Sequence, residues 1–255
     1  MSLKNIYFVA NWKMHGSINS SHLVKKIRNF SNKNAKLGKS KIILCVPYLF
    51  ISLFKNILKN SSVKLGAQNV SNVSEDYGAY TGSISPKMLK DTGIKYIILG
   101  HSELREKGEN NNSIKKKIGN SVKSNLNIIL CVGESYSTYK TKKSIQFIKS
   151  QLQVLTKKTI KNTIIAYEPI WSIGTGKIPS INDIKKMHKH IKETVFEIIN
   201  TKIKVLYGGS VNLTNINNIL NINNVDGVLV GGASLKVKDF LAIYTAAVKH
   251  LGKSI

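Results

Sequence analysis

The chain has 255 residues and a formal net charge of +26, from 39 basic side chains against 13 acidic ones. That length suffices to bury a large core without disulfides or metals, and the two cysteines, Cys45 and Cys131, lack metal-ligand spacing and sit inside apolar runs. The charge is nearly all lysine, with Arg28 and Arg105 the only arginines, and we read no aromatic–basic interleaving and no nucleic-acid motif in it.

Lysine, asparagine and isoleucine are over-used together, which fits a bias toward A- and T-rich codons with lysines spread over solvated faces. Under either reading a positive field attracts anionic substrates. The first strand-like run begins almost at once, so no signal peptide is expected, and no apolar run approaches membrane-spanning length. The expectation is a cytoplasmic protein with its thiols reduced.

Eight short apolar runs follow one another, mostly 30 to 40 residues apart. They are Ile6 to Asn11, Lys41 to Val46, Val63 to Gln68, Ile94 to Leu99, Ile128 to Val132, Thr163 to Tyr167, Lys204 to Tyr207 and Val228 to Val230. Each precedes a segment that can be helical. The clearest are Ser20 to Phe30, Tyr48 to Leu58, Lys140 to Leu155, Ile181 to Ile199 and Lys236 to Val248, with apolar residues at three- and four-residue steps. Ser85-Pro86 reads as an N-cap followed by proline at the first helical position, and Thr214 to Leu220 as a weak helix. Near-continuous apolar strands alternating with helices predict an α/β fold, a closed (β/α)8 barrel over residues 1–255 as one domain. Asn69 to Gly82 breaks the rhythm as a long polar loop, of the kind that is functional or interfacial.

In such barrels the chemistry lies at the carboxyl ends of the strands. The first strand delivers Asn11-Trp12-Lys13, where Lys13 is either an anion ligand or a snorkelling side chain. The fourth delivers Gly100-His101-Ser102-Glu103, with His101 either structural or catalytic. The sixth delivers Glu168 and then Pro169, which stops the ladder. Pro169 and Pro179 bracket a glycine-tipped segment with Trp171 at its root, which reads either as a lid or as an ordinary strand-to-helix connection. Paired glycines after the last two strands, Gly208-Gly209-Ser210 and Gly231-Gly232, suit a phosphate cradle, because backbone N–H groups can approach an anion there. One carboxylate, one imidazole, one lysine and a phosphate cradle are equipment for moving a proton beside a carbonyl. No P-loop, dinucleotide fingerprint or metal cluster is present, and no cofactor is expected.

The motifs Ala10-Asn11-Trp12-Lys13-Met14, Gly66-Ala67-Gln68-Asn69, Tyr80-Thr81-Gly82, Gly100-His101-Ser102-Glu103, Cys131-Val132-Gly133-Glu134, Ala166 to Lys177, Tyr207 to Val211 and Val230 to Leu235 resemble the triosephosphate isomerase family in order and spacing. The resemblance covers the whole chain. It implies interconversion of dihydroxyacetone phosphate and glyceraldehyde 3-phosphate through an enediolate, by a homodimer that binds no nucleic acid and no membrane. It further implies that Glu168 is the base, that neutral His101 donates to the substrate oxygens, and that Lys13 and Asn11 hold the reacting groups. Gly174, Ser210, Gly231 and Gly232 would hold the phosphate. Ile173 and Leu229 would close over Glu168, Tyr207 and Ser210 would latch the closed lid, and Ser102 would hold Glu168 in the open state. Glu103 is expected either near the chemistry or as a buried structural partner of Lys13. The sequence departs from the family pattern at Leu104, at Ser83, in a loop after the third strand about two residues longer than usual, and in a shorter connection after Glu134. The first three departures fall on the surface the family uses to dimerise.

Overall fold

The computed structural model describes residues 6–34, 40–173 and 179–253, the side chains of 250–253 excepted. Eight parallel strands close into a barrel in chain order. They are β1 (Tyr7–Asn11), β2 (Lys41–Cys45), β3 (Lys64–Ala67), β4 (Tyr96–Leu99), β5 (Asn127–Val132), β6 (Thr163–Tyr167), β7 (Val205–Tyr207) and β8 (Gly227–Val230). All eight coincide with the predicted runs to within two residues. Closure is made by β1 on β8, with Tyr7 opposite Gly227 and Val9 opposite Leu229.

Strand side chains alternate between the two faces. One set, including Val9, Ile43, Ile98, Ile129, Leu206 and Leu229, fills the barrel interior. The other set, with Phe8, Leu44, Ile97, Leu130 and Ile165, packs under the outer helices. Both faces of the sheet are covered, which is why the strands read as unbroken apolar runs.

The helices are α1 (Ser21–Lys33), α2 (Ile51–Ile57), α3 (Pro86–Asp91), α4 (Ser102–Glu106), α5 (Asn111–Lys123), α6 (Tyr136–Lys140), α7 (Ser144–Leu152), α8 (Ile181–Ile199), α9 (Ile216–Leu220) and α10 (Val237–Lys253). The predicted cap of α3 is present: Ser85 Oγ accepts from the Met88 N–H at 3.2 Å with Pro86 at the first helical position. The run expected as one helix from Lys140 to Leu155 is instead α6 and α7. The break falls at Lys142, which takes a left-handed φ of 56°. Helix α5 was not among the clearest helical segments named from the sequence. Its buried face holds only two isoleucines, Ile114 and Ile118, beside Lys117 and Ser121, and a side-chain cap from Asn110 to the Ser113 N–H starts it.

The loop expected at Asn69 to Gly82 has neither helix nor strand. It is tethered rather than loose: Ser71 N–H donates to Ile84 O at 2.9 Å, and Asn120 Nδ2 donates to Val73 O at 2.7 Å. Tyr77 and Tyr80 project outward from it.

Candidate active site

The loop after β1 holds Lys13 in an uncommon backbone state. Its φ is 52°, a left-handed conformation that costs a non-glycine residue energy and persists only where neighbours enforce it. Two neighbours do so. Asn11 Oδ1 accepts the Lys13 N–H at 3.0 Å, and Gln68 Nε2 donates to Lys13 O at 2.9 Å and to Cys45 O at 3.2 Å. The Lys13 ammonium meets Glu103 Oε1 at 2.6 Å. The expectation of a buried Glu103 is corrected here: its side chain is 52% exposed, because it stands on the outer turn of α4. Burial alone would raise its carboxyl, but the hydrogen bond and charge of Lys13 hold it below the usual carboxylate range.

His101 caps α4. Its Nδ1 accepts the Glu103 N–H at 3.3 Å, and since that backbone group can only donate, the ring proton belongs on Nε2. Nε2 lies 3.3 Å from Glu168 Oε1. Glu168 leaves the end of β6 with its backbone N–H on Val132 O at 2.7 Å. Its carboxylate is 2% exposed, and Oε2 accepts the Ser102 N–H at 3.3 Å. Two glycines make room for it. A Cβ on Gly133 would run into the Glu168 carbonyl, and one on Gly208 would stand 2.8 Å from Glu168 Cγ. Gly209 likewise leaves space for Tyr207 Oη. The pair after β7, read from sequence as anion-binding, is therefore required by neighbouring side chains. The pair after β8 is different: a Cβ on Gly232 would meet nothing within 4 Å, and one on Gly231 only Lys13 Cε at 3.5 Å. These two glycines face open space.

That space is a cavity of about 280 Å³ lined by Asn11, Lys13, His101 and Glu168 together with Ser210, Gly231 and Gly232. Ile173 and Leu229 also line it. Every predicted site residue is thus brought to one place except Gly174, which lies outside the described residues along with the rest of the predicted lid tip. Ser210 Oγ donates to Ser172 O at 2.8 Å, tying the β7 loop to the short 3-10 turn Ile170–Ser172.

Two residues that hold this frame had been quoted only as parts of motifs. Gln68 fixes the Lys13 turn. Glu134, fully buried at the end of β5, accepts on Oε1 from Tyr167 Oη at 3.0 Å and Trp171 Nε1 at 3.1 Å, and so anchors both sides of Glu168. The rule that singled out Glu168, an acidic residue at a strand's carboxyl end, applies equally to Glu134.

A closed parallel barrel with a carboxylate, an imidazole and a lysine on one small cavity at its strand ends is a (β/α)8-barrel enzyme of the proton-transferring, isomerase kind. The family model described as triosephosphate isomerase matches residues 6–247. The chain is 36% identical over 262 residues to a triosephosphate isomerase of Shewanella denitrificans, covering 97% of this chain and 99% of that one, and equally so to one of Shewanella frigidimarina. The crystal structure of triosephosphate isomerase from Bartonella henselae superposes with a TM-score of 0.84 at 32% identity, over 95% of this chain and 98% of that one. The chain belongs to the triosephosphate isomerase family, and it is an intramolecular aldose–ketose isomerase.

Proposed function

We propose that the chain interconverts dihydroxyacetone phosphate and D-glyceraldehyde 3-phosphate, a step of glycolysis and gluconeogenesis, with Glu168 as the base. The observation that carries the residue roles is the meeting of the Glu168 carboxylate and His101 Nε2 at 3.3 Å on a cavity that Gly231 and Gly232 also line. Glu168 takes the proton from the carbon beside the carbonyl, leaving an enediolate, and returns it to the neighbouring carbon. Substrate and product are isomers, so no electron acceptor enters the balance. His101 Nε2–H donates to the substrate oxygens as charge builds on them. Lys13 places a cation beside that charge and the phosphate, and Asn11, which already holds the Lys13 turn, hydrogen-bonds the reacting oxygens. Ser210, Gly231 and Gly232 take the phosphate, with Gly174 as a fourth ligand.

The bond from Ser102 N–H to Glu168 Oε2 marks a resting position that must open before the base can reach carbon. Ile173 and Leu229 supply apolar walls that strip water from the carboxylate. A coupled assay of triose phosphate turnover tests the activity, and Glu168→Asp tests the base. Retracting the carboxylate by one methylene should lower kcat by about 10²-fold or more with little change in KM. His101→Gln, which loses the positioned donor, should be slowed comparably. Wild-type kcat in Glu168→Asp would remove Glu168 from that role.

The same reading makes the working form a cytoplasmic homodimer of one barrel domain spanning 1–255. Met14 is 96% exposed, Leu49 87% and Tyr77 67%, on the loops that follow β1, β2 and β3. Apolar side chains this exposed on neighbouring loops suit burial against a second copy. Both cysteines are buried free thiols, in keeping with a reducing compartment. Among the described residues no helix is long and apolar enough to cross a membrane.

A further inference from the structure

A second cavity, of about 520 Å³, shares no lining residue with the first. It opens between α6, the start of α7 and α8, and reaches inward to Glu134 and Trp171. Three features of its wall ask for different things. Glu134 is fully buried, and while Oε1 is doubly occupied, Oε2 has no hydrogen-bond partner. An unpaired buried carboxylate oxygen is costly and calls for a donor. Tyr139 packs on Trp171 with ring centroids 4.5 Å apart, and Tyr136 stacks on Tyr139 at 6.4 Å, so the wall offers exposed aromatic surface. Lys140, Lys142 and Lys186 ring the same cavity, against Asp183 as the one carboxylate besides Glu134. Tyrosines thus interleave with lysines from Tyr136 to Lys142, which the composition had not suggested.

A ligand that satisfies all three carries a flat ring, an N–H donor on that ring and an anion beyond it. We propose that this cavity binds a purine nucleotide with an exocyclic amine, the ring lying on Tyr139, the amine donating to Glu134 Oε2 and the phosphate meeting Lys140, Lys142 and Lys186. The volume falls in the ordinary range for small-molecule sites, about 300–1,000 Å³. Inorganic phosphate alone would use the lysines and leave the carboxylate and the aromatic wall idle.

The test is calorimetric titration of AMP into the protein with its catalytic cavity filled by 2-phosphoglycolate, with IMP and ribose 5-phosphate for comparison. AMP should saturate one site. IMP should bind at least about tenfold more weakly, because its carbonyl oxygen would face Oε2. Tyr139→Ala and Lys142→Ala, both at exposed positions outside the catalytic cavity, should each weaken AMP by about three- to tenfold while isomerase activity stays unchanged. Glu134→Gln places an amide donor there and should reverse the preference, favouring IMP. No binding heat with about 5 mM AMP would overturn the proposal, as would ribose 5-phosphate binding as tightly as AMP, or AMP and IMP binding alike. The coupled isomerase assay is a separate measurement, so failure of either reading leaves the other standing.

Discussion

Glu134 is the residue whose environment most plainly opposes its charge. Burial pushes its carboxyl above the usual range, and the donors on Tyr167 and Trp171 offset only part of that. For an acid with a raised folded pKa, the folded state holds the proton more tightly than the unfolded state. Stability is then lost as pH rises from the unfolded value, about 4.3, through the folded one. Glutamine does not titrate and can still accept from both donors through its carbonyl oxygen. We expect the stability of Glu134→Gln relative to wild type to improve as pH rises from about 4 and to level off once Glu134 is ionised in the folded state, read from urea melts at each pH. A difference independent of pH would mean that Glu134 is not held in an unfavourable state. Residue identity and strand position alone had pointed to Lys13, His101 and Glu168, and the family resemblance added Asn11. What they could not reveal is that Lys13 sits at positive φ, since that depends on Gln68 reaching across from the loop after β3.

At the scale of elements, the ends of β5, β6 and β7 pack so closely that backbone and side chain share the space a methyl would need. Gly208→Ala sets a Cβ 2.8 Å from Glu168 Cγ, so either the carboxylate or the loop after β7 must shift. A displacement of a few tenths of an ångström at the base should lower kcat by about tenfold or more, with a smaller change in thermal stability. If Gly208→Ala keeps wild-type kcat, the side chain of Glu168 has slack that the static packing hides. Strands were the most legible elements, because burial on both faces leaves a continuous apolar run. Helices were legible in proportion to the width of their apolar stripe: Ile181 to Ile199 was read to the residue, whereas α5, with two buried isoleucines, was not given bounds. The α6–α7 break was not readable, because nothing about a lysine announces a left-handed turn. The glycines after β7 were noticed for the space they leave, and the structure adds that Glu168 and Tyr207 occupy part of that space.

For the whole molecule, charge is the dominant peculiarity. Among the described residues six lysines come within ion-pair distance of a carboxylate, too few to offset a net charge of +26. Raising ionic strength from low values should therefore raise Tm, as mutual repulsion is screened over a length of about 10 Å at 0.1 M. The same salt should lower kcat/KM by weakening attraction of the dianionic substrate, provided encounter limits the rate. Flat responses in both would show the lysines to be too dispersed to act together. Assembly offers another test. Ser83 is exposed and Leu104 half-buried in the single chain; if the proposed homodimer forms as the family resemblance implies, the two positions face each other across its contact. Ser83→Glu or Leu104→Arg alone should weaken the dimer by about 1–3 kcal/mol, since each strands a charge, and the double change should recover much of it. A coupling energy of zero in the dissociation constants would show that these positions do not meet.

Closure of β1 on β8 has a bearing on how the protein comes into being. Tyr7 waits for Gly227, where any side chain would collide with the Tyr7 backbone. The first strand emerges from the ribosome more than two hundred residues before its partner. Throughout synthesis the nascent sheet has an unpaired leading edge, and long-range pairings of this kind form slowly. Asn11 ends the first strand and Lys13 follows it, while Gly231 and Gly232 follow the last, so the candidate site is divided across the same seam. A ribosome-stalled chain lacking only its final strand could hold most of the hydrophobic interior and yet have no place for a phosphate. With the phosphate held as proposed, its site is complete only after the ring has closed, so binding of a phosphate ligand reports chains that have finished folding.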